Sequence, residues 1–340
     1  MAISVPFTRG INFSKWFESR AFSDIVFERF TEQDFINVKS LGADVIRLPV
    51  AFHNFFTGKG STLEPQLLNY LDAAADWAEK HQIYLIIDNH SFHPTNPTDA
   101  NIDKILIPVW RQLAEHFKNR SNFIIYEVLN EPHGISDERW GEIQGDAIEE
   151  IRKIDQKHTI IVGGTNFNSI EKMTKVPAYA DNNLIYTFHY YDPHIFTHQG
   201  AMWNKPSLAP LSDLPFPLGK NSIPKIHETF KGTWVEESLK SYEHDSKFTT
   251  MSAALDKASA FSKERDVPVF CGEFGVFMIQ SPAEDRVNWY KFVCEELAQR
   301  NITWTSWDYF GGFGIFKTEK KGEFPSDLNG DILRVMGFRV

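Results

Sequence analysis

The sequence predicts a (β/α)₈ barrel, and three observations support that fold class. The chain has 340 residues, a length that suits one large α/β barrel. Eight short and mostly apolar segments have the character of buried parallel strands. Amphipathic segments with helical spacing alternate with them. The other α/β arrangement, an open doubly wound sheet, is less favoured because no G-x-G-x-x-G motif follows any of these strands.

The predicted strands are justified by apolar, β-branched runs that end in polar or turn-forming residues. They cover residues 10–13, 44–48, 84–88, 124–129, 159–163, 184–189, 267–272 and 303–307. One predicted helix carries an apolar stripe through Leu67, Leu71, Ala74 and Ala78. Another is predicted to begin at the stretch Ser281-Pro282-Ala283-Glu284, with Ser281 as N-cap and Pro282 in the first turn.

Residues 192–247 interrupt the alternation after the sixth predicted strand. The stretch contains six prolines and lacks clean periodicity, yet it is rich in phenylalanine and tryptophan. A disordered linker is one interpretation, but the aromatic content argues against it. We therefore expect one catalytic domain over residues 1–340, with residues 192–247 as an insertion that lies over the active-site face.

Composition excludes several classes of protein. The chain is 42% hydrophobic and 24% charged, with a net charge of −10, which argues against nucleic acid or an anionic membrane as partner. We expect Cys271 and Cys294 to be buried thiols rather than a disulfide. No signal peptide or membrane span is evident, so the chain is expected to be cytoplasmic or to have lost a leader. No exposed apolar stripe suggests more than a monomer.

Two glutamates stand where predicted strands end. The fourth strand runs into Asn130-Glu131-Pro132, and the seventh runs into Glu273-Phe274-Gly275. Pro132 cannot donate to a strand ladder, so the strand should stop there. Carboxylates at the carboxyl ends of barrel strands are in the position used for catalysis, and retaining glycosidases pair two carboxyl groups roughly 5 Å apart. Glu131 and Glu273 are therefore predicted to form such a pair.

Polar residues on other strands complete the predicted site. Asn130 suits a hydrogen bond to a sugar 2-hydroxyl, and it also suits a simple strand-end turn. Arg47 lies in an apolar strand, where it would lower the pKa of a carboxylate or form a structural ion pair. His90 ends the third strand. It could bind sugar or a carboxylate, or it could join Asp88 and His93 in a metal site.

Aromatic and imidazole side chains end the sixth and eighth strands. His189 can tune a glutamate, and the Tyr191 hydroxyl can donate to the nucleophile. Trp307, nearest the rim, is the better stacking platform for a sugar ring, whereas Tyr190 and Trp304 fit the core.

These residues together resemble glycoside hydrolase family 5, the large family of cellulases and mannanases. The resemblance covers nearly the whole chain and rests on an ordered set: Arg47, His90, Asn130-Glu131-Pro132, His189, Tyr191, Glu273-Phe274-Gly275 and Trp307. The stretches Arg9-Gly10-Ile11-Asn12 and Phe196-Thr197-His198-Gln199-Gly200-Ala201 are similar to clostridial and thermotogal endoglucanases of that family. The second stretch brings His198, with Trp203 just beyond it, among the expected substrate-binding residues.

The resemblance implies a barrel enzyme that retains anomeric configuration on a β-linked polysaccharide. It implies Glu131 as acid/base, Glu273 as nucleophile, and neither metal nor organic cofactor. We expect the negative charge of Glu273 to raise the pKa of Glu131. Two positions depart from the pattern, Ser91 for a second histidine and Asp308 for a glutamate, and both bear on sugar preference.

The expected activity is that of an endo-β-1,4-glucanase. The alternatives are a β-mannanase or mixed glucan and glucomannan hydrolase, a metal-dependent barrel hydrolase, and a non-catalytic carbohydrate-binding protein.

Overall fold

The computed structural model of the chain describes residues 4–58, 60–92, 96–220 and 223–340. Eight parallel strands close into a barrel in the order of the sequence, which confirms the predicted fold. The strands are β1 (Arg9–Asn12), β2 (Val45–Val50), β3 (Tyr84–Asn89), β4 (Ile124–Glu127), β5 (Thr159–Gly163), β6 (Leu184–Tyr190), β7 (Val269–Phe274) and β8 (Thr303–Ser306). Each predicted strand is present, with its ends shifted by two residues at most.

Helices follow the strands as the alternation predicted. They are α1 (Glu32–Ser40), α2 (Pro65–Lys80), α3 (Asp103–Phe117), α4 (Asp137–Ile154), α5 (Thr165–Asn168), α6 (Ile170–Met173), α7 (His194–Thr197), α8 (Trp234–Asp245), α9 (Phe248–Arg265), α10 (Ala283–Gln299) and α11 (Gly330–Val335). The predicted start of α10 is wrong by one residue, because Pro282 is itself the N-cap and has extended backbone angles. The stripe on α2 is buried as expected.

Near the start of the strands the barrel interior is filled by Phe7, which precedes β1, and by one apolar residue from each of several strands. These buried residues are Phe7, Val45, Ile86, Ile125, Ile161, Ile185 and Phe270. Burying an aliphatic side chain of this size stabilises a fold by about 1.5–3 kcal/mol. Because side chains alternate along a strand, the residue two positions further on points to the same face. That rule places Arg47, Asp88 and Glu127 in the next interior layer, toward the carboxyl ends.

The chain divides into two compact units. The barrel unit comprises Met1–His189, Ala258–Gly272 and Thr303–Thr305, and the second unit comprises Tyr190–Lys257, Glu273–Ile302 and Ser306–Val340. The predicted insertion, residues 192–247, lies in the second unit and contains α7 and α8. Its described part buries Phe196, Phe216 and Phe230, so these aromatics form core rather than surface.

Two smaller observations complete the fold. Cys271 and Cys294 are free, buried thiols, as predicted. Among the helices of the described residues, none combines the length and the apolar character needed to cross a bilayer.

Candidate active site

A buried ionic cluster of Arg47, Asp88 and Glu127 occupies the second interior layer of the barrel unit. Arg47 donates from Nε to Glu127 Oε2 at 2.7 Å and from Nη2 to Glu127 Oε1 at 2.9 Å. Its Nη2 also lies 3.0 Å from Asp88 Oδ2, and neither side chain is exposed. A guanidinium out of water needs such partners, since an uncompensated buried charge is very costly. The ion-pair interpretation of Arg47 therefore holds in the structure.

The ionic cluster fixes the orientation of Asn130 and His90. Arg47 Nη2 donates to Asn130 Oδ1 at 2.8 Å. Because a guanidinium can only donate, the atom of the Asn130 amide that faces Arg47 must be its oxygen. The Asn130 Nδ2 then faces His90 Nε2 at 3.2 Å and must donate to it. His90 Nδ1 therefore carries the proton that it donates to Asp88 Oδ2 at 2.7 Å. One N–H of the Asn130 amide is used in this way, and the amide has a second.

Sequence reasoning missed Glu127, although a signal was present. It is a carboxylate inside the apolar run of β4, two residues after the core residue Ile125. A buried arginine on β2 requires a carboxylate on the same interior layer, and strand periodicity identifies Glu127 as a candidate.

Glu131 follows β4, and its side chain contacts His189 on β6. His189 Nδ1 lies 2.7 Å from Glu131 Oε1, and the Glu131 side chain is 17% exposed. Burial raises the pKa of Glu131 to about 7, and the positive charge of Arg47 opposes this shift only in part. The direction agrees with our expectation, but burial rather than a neighbouring carboxylate is the largest cause. A carboxyl group with this pKa keeps its proton in weakly acidic solution.

Glu273 lies in the second unit, at the end of β7. Its Oε2 accepts a hydrogen bond from the Tyr191 hydroxyl at 2.9 Å, and the residue is buried. The backbone beside it is tightly packed, since Trp307 N donates to Phe274 O at 2.9 Å. A Cβ on Gly275 would lie 2.5 Å from the Trp307 carbonyl oxygen, so glycine is required there. The structure therefore joins Tyr191 to Glu273 by a hydrogen bond and packs the Trp307 backbone against the residues that follow Glu273.

An aromatic cluster in the second unit consists of Tyr191, His198, Trp203, Phe277 and Phe313. Ring centroids of Tyr191 and His198 are 5.0 Å apart, and those of Trp203 and Phe277 are 5.0 Å apart in a T-shaped pair. Phe313 lies 5.3 Å from His198 and 6.3 Å from Trp203. The indole of Trp203 remains 46% exposed. Phe277 and Phe313 were not predicted, because they lie in irregular segments with no periodicity.

Two further histidines were candidates for the site, His198 and His93. Burial, with a smaller contribution from His194, lowers the pKa of His198 well below its usual value. Of the three residues in the metal interpretation, Asp88, His90 and His93, the last lies outside the described residues. Asp88 and His90 themselves are bound to each other and to the ionic cluster.

A (β/α)₈ barrel that carries one carboxyl group of raised pKa just after its fourth strand and another at the end of its seventh has the architecture of a barrel glycoside hydrolase. Residues 9–311 match the family described as Cellulase (glycosyl hydrolase family 5), and the chain belongs to that family. The predicted resemblance and the predicted class of enzyme are thereby confirmed.

Individual proteins similar to this chain are endoglucanases by name, which agrees with the family match. The chain is 29% identical over 339 residues to Endoglucanase 3 of Fibrobacter succinogenes, covering 92% of this chain and 51% of the relative, so it spans about half the length of that protein. It is 27% identical over 333 residues to Endoglucanase C of Acetivibrio thermocellus, and this match covers 93% of this chain and 95% of the relative. The crystal structure of endoglucanase Cel5A from Thermotoga maritima superposes with a TM-score of 0.78 at 25% identity, covering 97% and 96%.

Proposed function

We propose that this protein is a retaining endo-β-1,4-glucanase that hydrolyses β-1,4-linked polysaccharide by double displacement. The observation that carries the proposal is the Glu131 carboxyl group, whose pKa is raised to about 7 at the end of β4. The same closed barrel carries Glu273 as the last residue but one of strand β7. The names of the relatives support glucan as the substrate. The predicted lack of a cofactor, the monomeric state and the catalytic single domain belong to the same proposal.

In the first step Glu131 acts as the acid and Glu273 as the nucleophile. A Glu273 oxygen attacks the anomeric carbon, and the bond from that carbon to the glycosidic oxygen breaks. Glu131 transfers its proton to the departing oxygen, which leaves as the hydroxyl of the released sugar. Glu131 is suited to this role because burial keeps it protonated in weakly acidic solution, where an ordinary glutamate is ionised.

In the second step the glycosyl-enzyme is hydrolysed. Glu131, now ionised, removes a proton from water, and the water oxygen attacks the anomeric carbon from the face that the leaving group vacated. The bond to Glu273 breaks and its carboxylate is restored. Two inversions at the same carbon give a product with the starting β configuration.

Neighbouring side chains support these steps. The second amide N–H of Asn130 is the donor that we assign to the sugar 2-hydroxyl, since the ionic cluster already fixes that amide. The Tyr191 hydroxyl donates to Glu273 and so holds one nucleophile oxygen in place. The imidazole of His189 holds Glu131. His198, Trp203 and Trp307 are the proposed contacts for the sugar rings, with residues 192–247 contributing the first two.

Product stereochemistry is the direct test of the mechanism. Proton NMR of a fresh digest of cellopentaose should show the β anomer first, with the α anomer growing only as mutarotation proceeds. Early α product would mean inversion and would remove Glu273 as a nucleophile. A Glu273→Ala variant should remain folded and bind the oligosaccharide without cleaving it.

Substrate choice is tested by rates on carboxymethyl-cellulose, barley β-glucan, glucomannan and β-mannan, with product sizing. We expect glucans to be cleaved fastest and at internal bonds. Faster cleavage of mannan would favour the mannanase alternative. Activity abolished by a chelator would favour the metal-dependent one, and absence of any turnover would leave a carbohydrate-binding protein.

A further inference from the structure

A cleft of about 610 Å³ opens in the barrel unit, at the end of the barrel opposite to Glu131. The residues that line it include Tyr179, Asn182, Arg265, Asp266 and Pro268. Asn182 precedes β6 and Pro268 precedes β7, so the cleft lies at the amino-terminal ends of these strands, and we call it the amino-terminal cleft. Active sites of (β/α)₈ barrels lie at the carboxyl ends, which separates this cleft from the proposed catalytic residues.

Arg265 places a well-held positive charge at the rim of the amino-terminal cleft. Its guanidinium carbon lies 4.7 Å from the centroid of the Phe261 ring, and its Nη1 donates to Val176 O at 2.6 Å. The side chain is therefore held in one orientation although the residue is exposed. A guanidinium has five N–H groups. Val176 and the nearby Tyr186 hydroxyl can engage two of them, which leaves others for a ligand.

Asp266 and Asn182 add hydrogen-bond acceptors beside this cation, and both residues are exposed. Asp266 directly follows α9, and its φ of 53° lies in the left-handed region. Val267 N donates to Ser262 O at 3.1 Å, a bond that closes the helix end around Asp266 and fixes its position. The rim thus carries a cation, a carboxylate and an amide, which together can both donate and accept.

Tyr179 and Pro268 give the amino-terminal cleft an apolar surface. The Tyr179 hydroxyl donates to Gly141 O at 3.0 Å and accepts from Gln144 Nε2 at 3.1 Å. A Cβ on Gly145 would lie 3.3 Å from Tyr179 Cε1, so the ring is packed closely against α4. Tyr179 and Pro268 are half-buried, and each keeps part of its surface toward solvent. The cleft therefore has a firmly held apolar part next to its polar rim.

We infer that the amino-terminal cleft is a second, non-catalytic binding site for a neutral oligosaccharide. Its volume falls in the range of about 300–1,000 Å³ that is usual for small-molecule sites. A sugar ring combines an apolar C–H face with hydroxyl groups that donate and accept, and the cleft offers a counterpart to each. The charges of Arg265 and Asp266 balance, and the neighbouring Asp181 is already paired with Arg152, so the cleft does not select a charged ligand.

The identity of the sugar as β-1,4-linked glucan rests on the proposed function. A polymer segment held in the amino-terminal cleft would keep the protein attached to the chain while the catalytic residues release one product and take up another segment. Such attachment raises the effective concentration of the polymer at the active site. It requires a polymer, because separate cellopentaose molecules occupy the two sites independently.

The direct test measures binding in a Glu273→Ala background, in which cellopentaose is not cleaved. Hydrogen–deuterium exchange with saturating cellopentaose should be slowed in residues 178–183, besides any protection at the proposed active site. Adding Arg265→Ala and Asp266→Gly should abolish the protection of residues 178–183, whose own sequence is unchanged. Glycine suits the left-handed backbone at position 266, so this variant should fold, and its thermal midpoint checks that.

Kinetics of the protein with Glu273 intact give a second readout. The Arg265→Ala/Asp266→Gly variant should lose about tenfold in kcat/KM on barley β-glucan and less than about twofold on cellopentaose. The matched control is Lys263→Ala, because Lys263 is an exposed cation of the same helix that lies outside the lining of the cleft. It should leave both rates unchanged.

Three results would overturn the inference. They are no protection of residues 178–183 by cellopentaose, protection that survives the double substitution, and an equal loss of kcat/KM on both substrates. The proposed function fails separately, if the parent protein cleaves neither barley β-glucan nor cellopentaose.

Discussion

The ionic cluster of the barrel unit and the aromatic cluster of the second unit differ in chemistry and in how they are held. Arg47, Asp88 and Glu127 are charged, almost without exposure, and linked by hydrogen bonds of defined direction. The aromatic cluster packs ring against ring, and one of its members, Trp203, keeps nearly half of its surface in solvent.

This difference separates two tasks. Fixed hydrogen bonds orient Asn130 and His90, and preorganisation of this kind serves a transition state. Ring surfaces give affinity without strict direction, and under the proposed function they would suit a polymer that changes its position in the site. We therefore expect damage to the ionic cluster to appear in kcat and in folding stability, and damage to the aromatic cluster to appear in KM.

The largest expected effect comes from Glu131→Gln, which removes the proton donor and leaves the shape. Activity on barley β-glucan should fall by about 10²–10⁴-fold, the usual contribution of a general acid–base group. Added azide should restore turnover of β-cellobiosyl fluoride in the variant, because azide attacks the glycosyl-enzyme without a base. A variant with near-normal activity on the polymer would remove Glu131 from the mechanism.

Arg47→Met is expected to have the next largest effect. It leaves Asp88 and Glu127 buried without their cation, which should lower the free energy of unfolding by about 3–5 kcal/mol. Urea denaturation measures the loss. The matched control is Arg111→Met. Arg111 also forms an ion pair, with Glu150, but its side chain is 57% exposed. That change should cost no more than about 1 kcal/mol. Equal losses of unfolding free energy in the two variants would show that the buried ion pairs of Arg47 matter no more than the exposed one of Arg111.

A smaller effect links the Glu131 pKa to stability. The pKa in the folded protein is about 7 and the unperturbed value is 4.5, so folding disfavours the ionised form. Between those two pH values the parent should lose stability as pH rises, relative to Glu131→Gln, by up to about 3 kcal/mol. Thermal midpoints of both proteins at pH 4 and pH 8.5 give the comparison. If the thermal midpoint of the parent relative to Glu131→Gln is the same at both pH values, or is lower at pH 4 than at pH 8.5, the raised pKa of Glu131 is contradicted.

The smallest effect is expected in the aromatic cluster. Trp203→Ala should raise KM for cellopentaose about tenfold with little change in kcat, since stacking contributes about 0.5–1.5 kcal/mol beyond the area that it covers. Trp234→Ala is the control, because Trp234 is 40% exposed on α8 and its indole donates to Lys205 O. If Trp203→Ala instead lowers kcat and leaves KM unchanged, the division of tasks between the clusters is wrong.

The sequence was informative about strands and their ends. Eight apolar runs gave eight barrel strands because buried parallel strands need apolar side chains on both faces, a signal that is local. Glu131, Glu273 and Arg47 were noticeable for the converse reason, since a charge in or beside such a run is costly unless it is used. The start of α10 was misplaced by one residue because capping depends on backbone angles that sequence patterns fix only loosely.

The sequence by itself determined the barrel, the strand-end glutamates and the family, because these depend on residue type and on order along the chain. Only the tertiary structure decided that Glu127 neutralises Arg47, that Phe277 and Phe313 join His198, and that Phe167 stacks on His133. These pairs come from separate loops or strands, and their distances depend on barrel closure and loop packing. No local pattern of side chains records those distances.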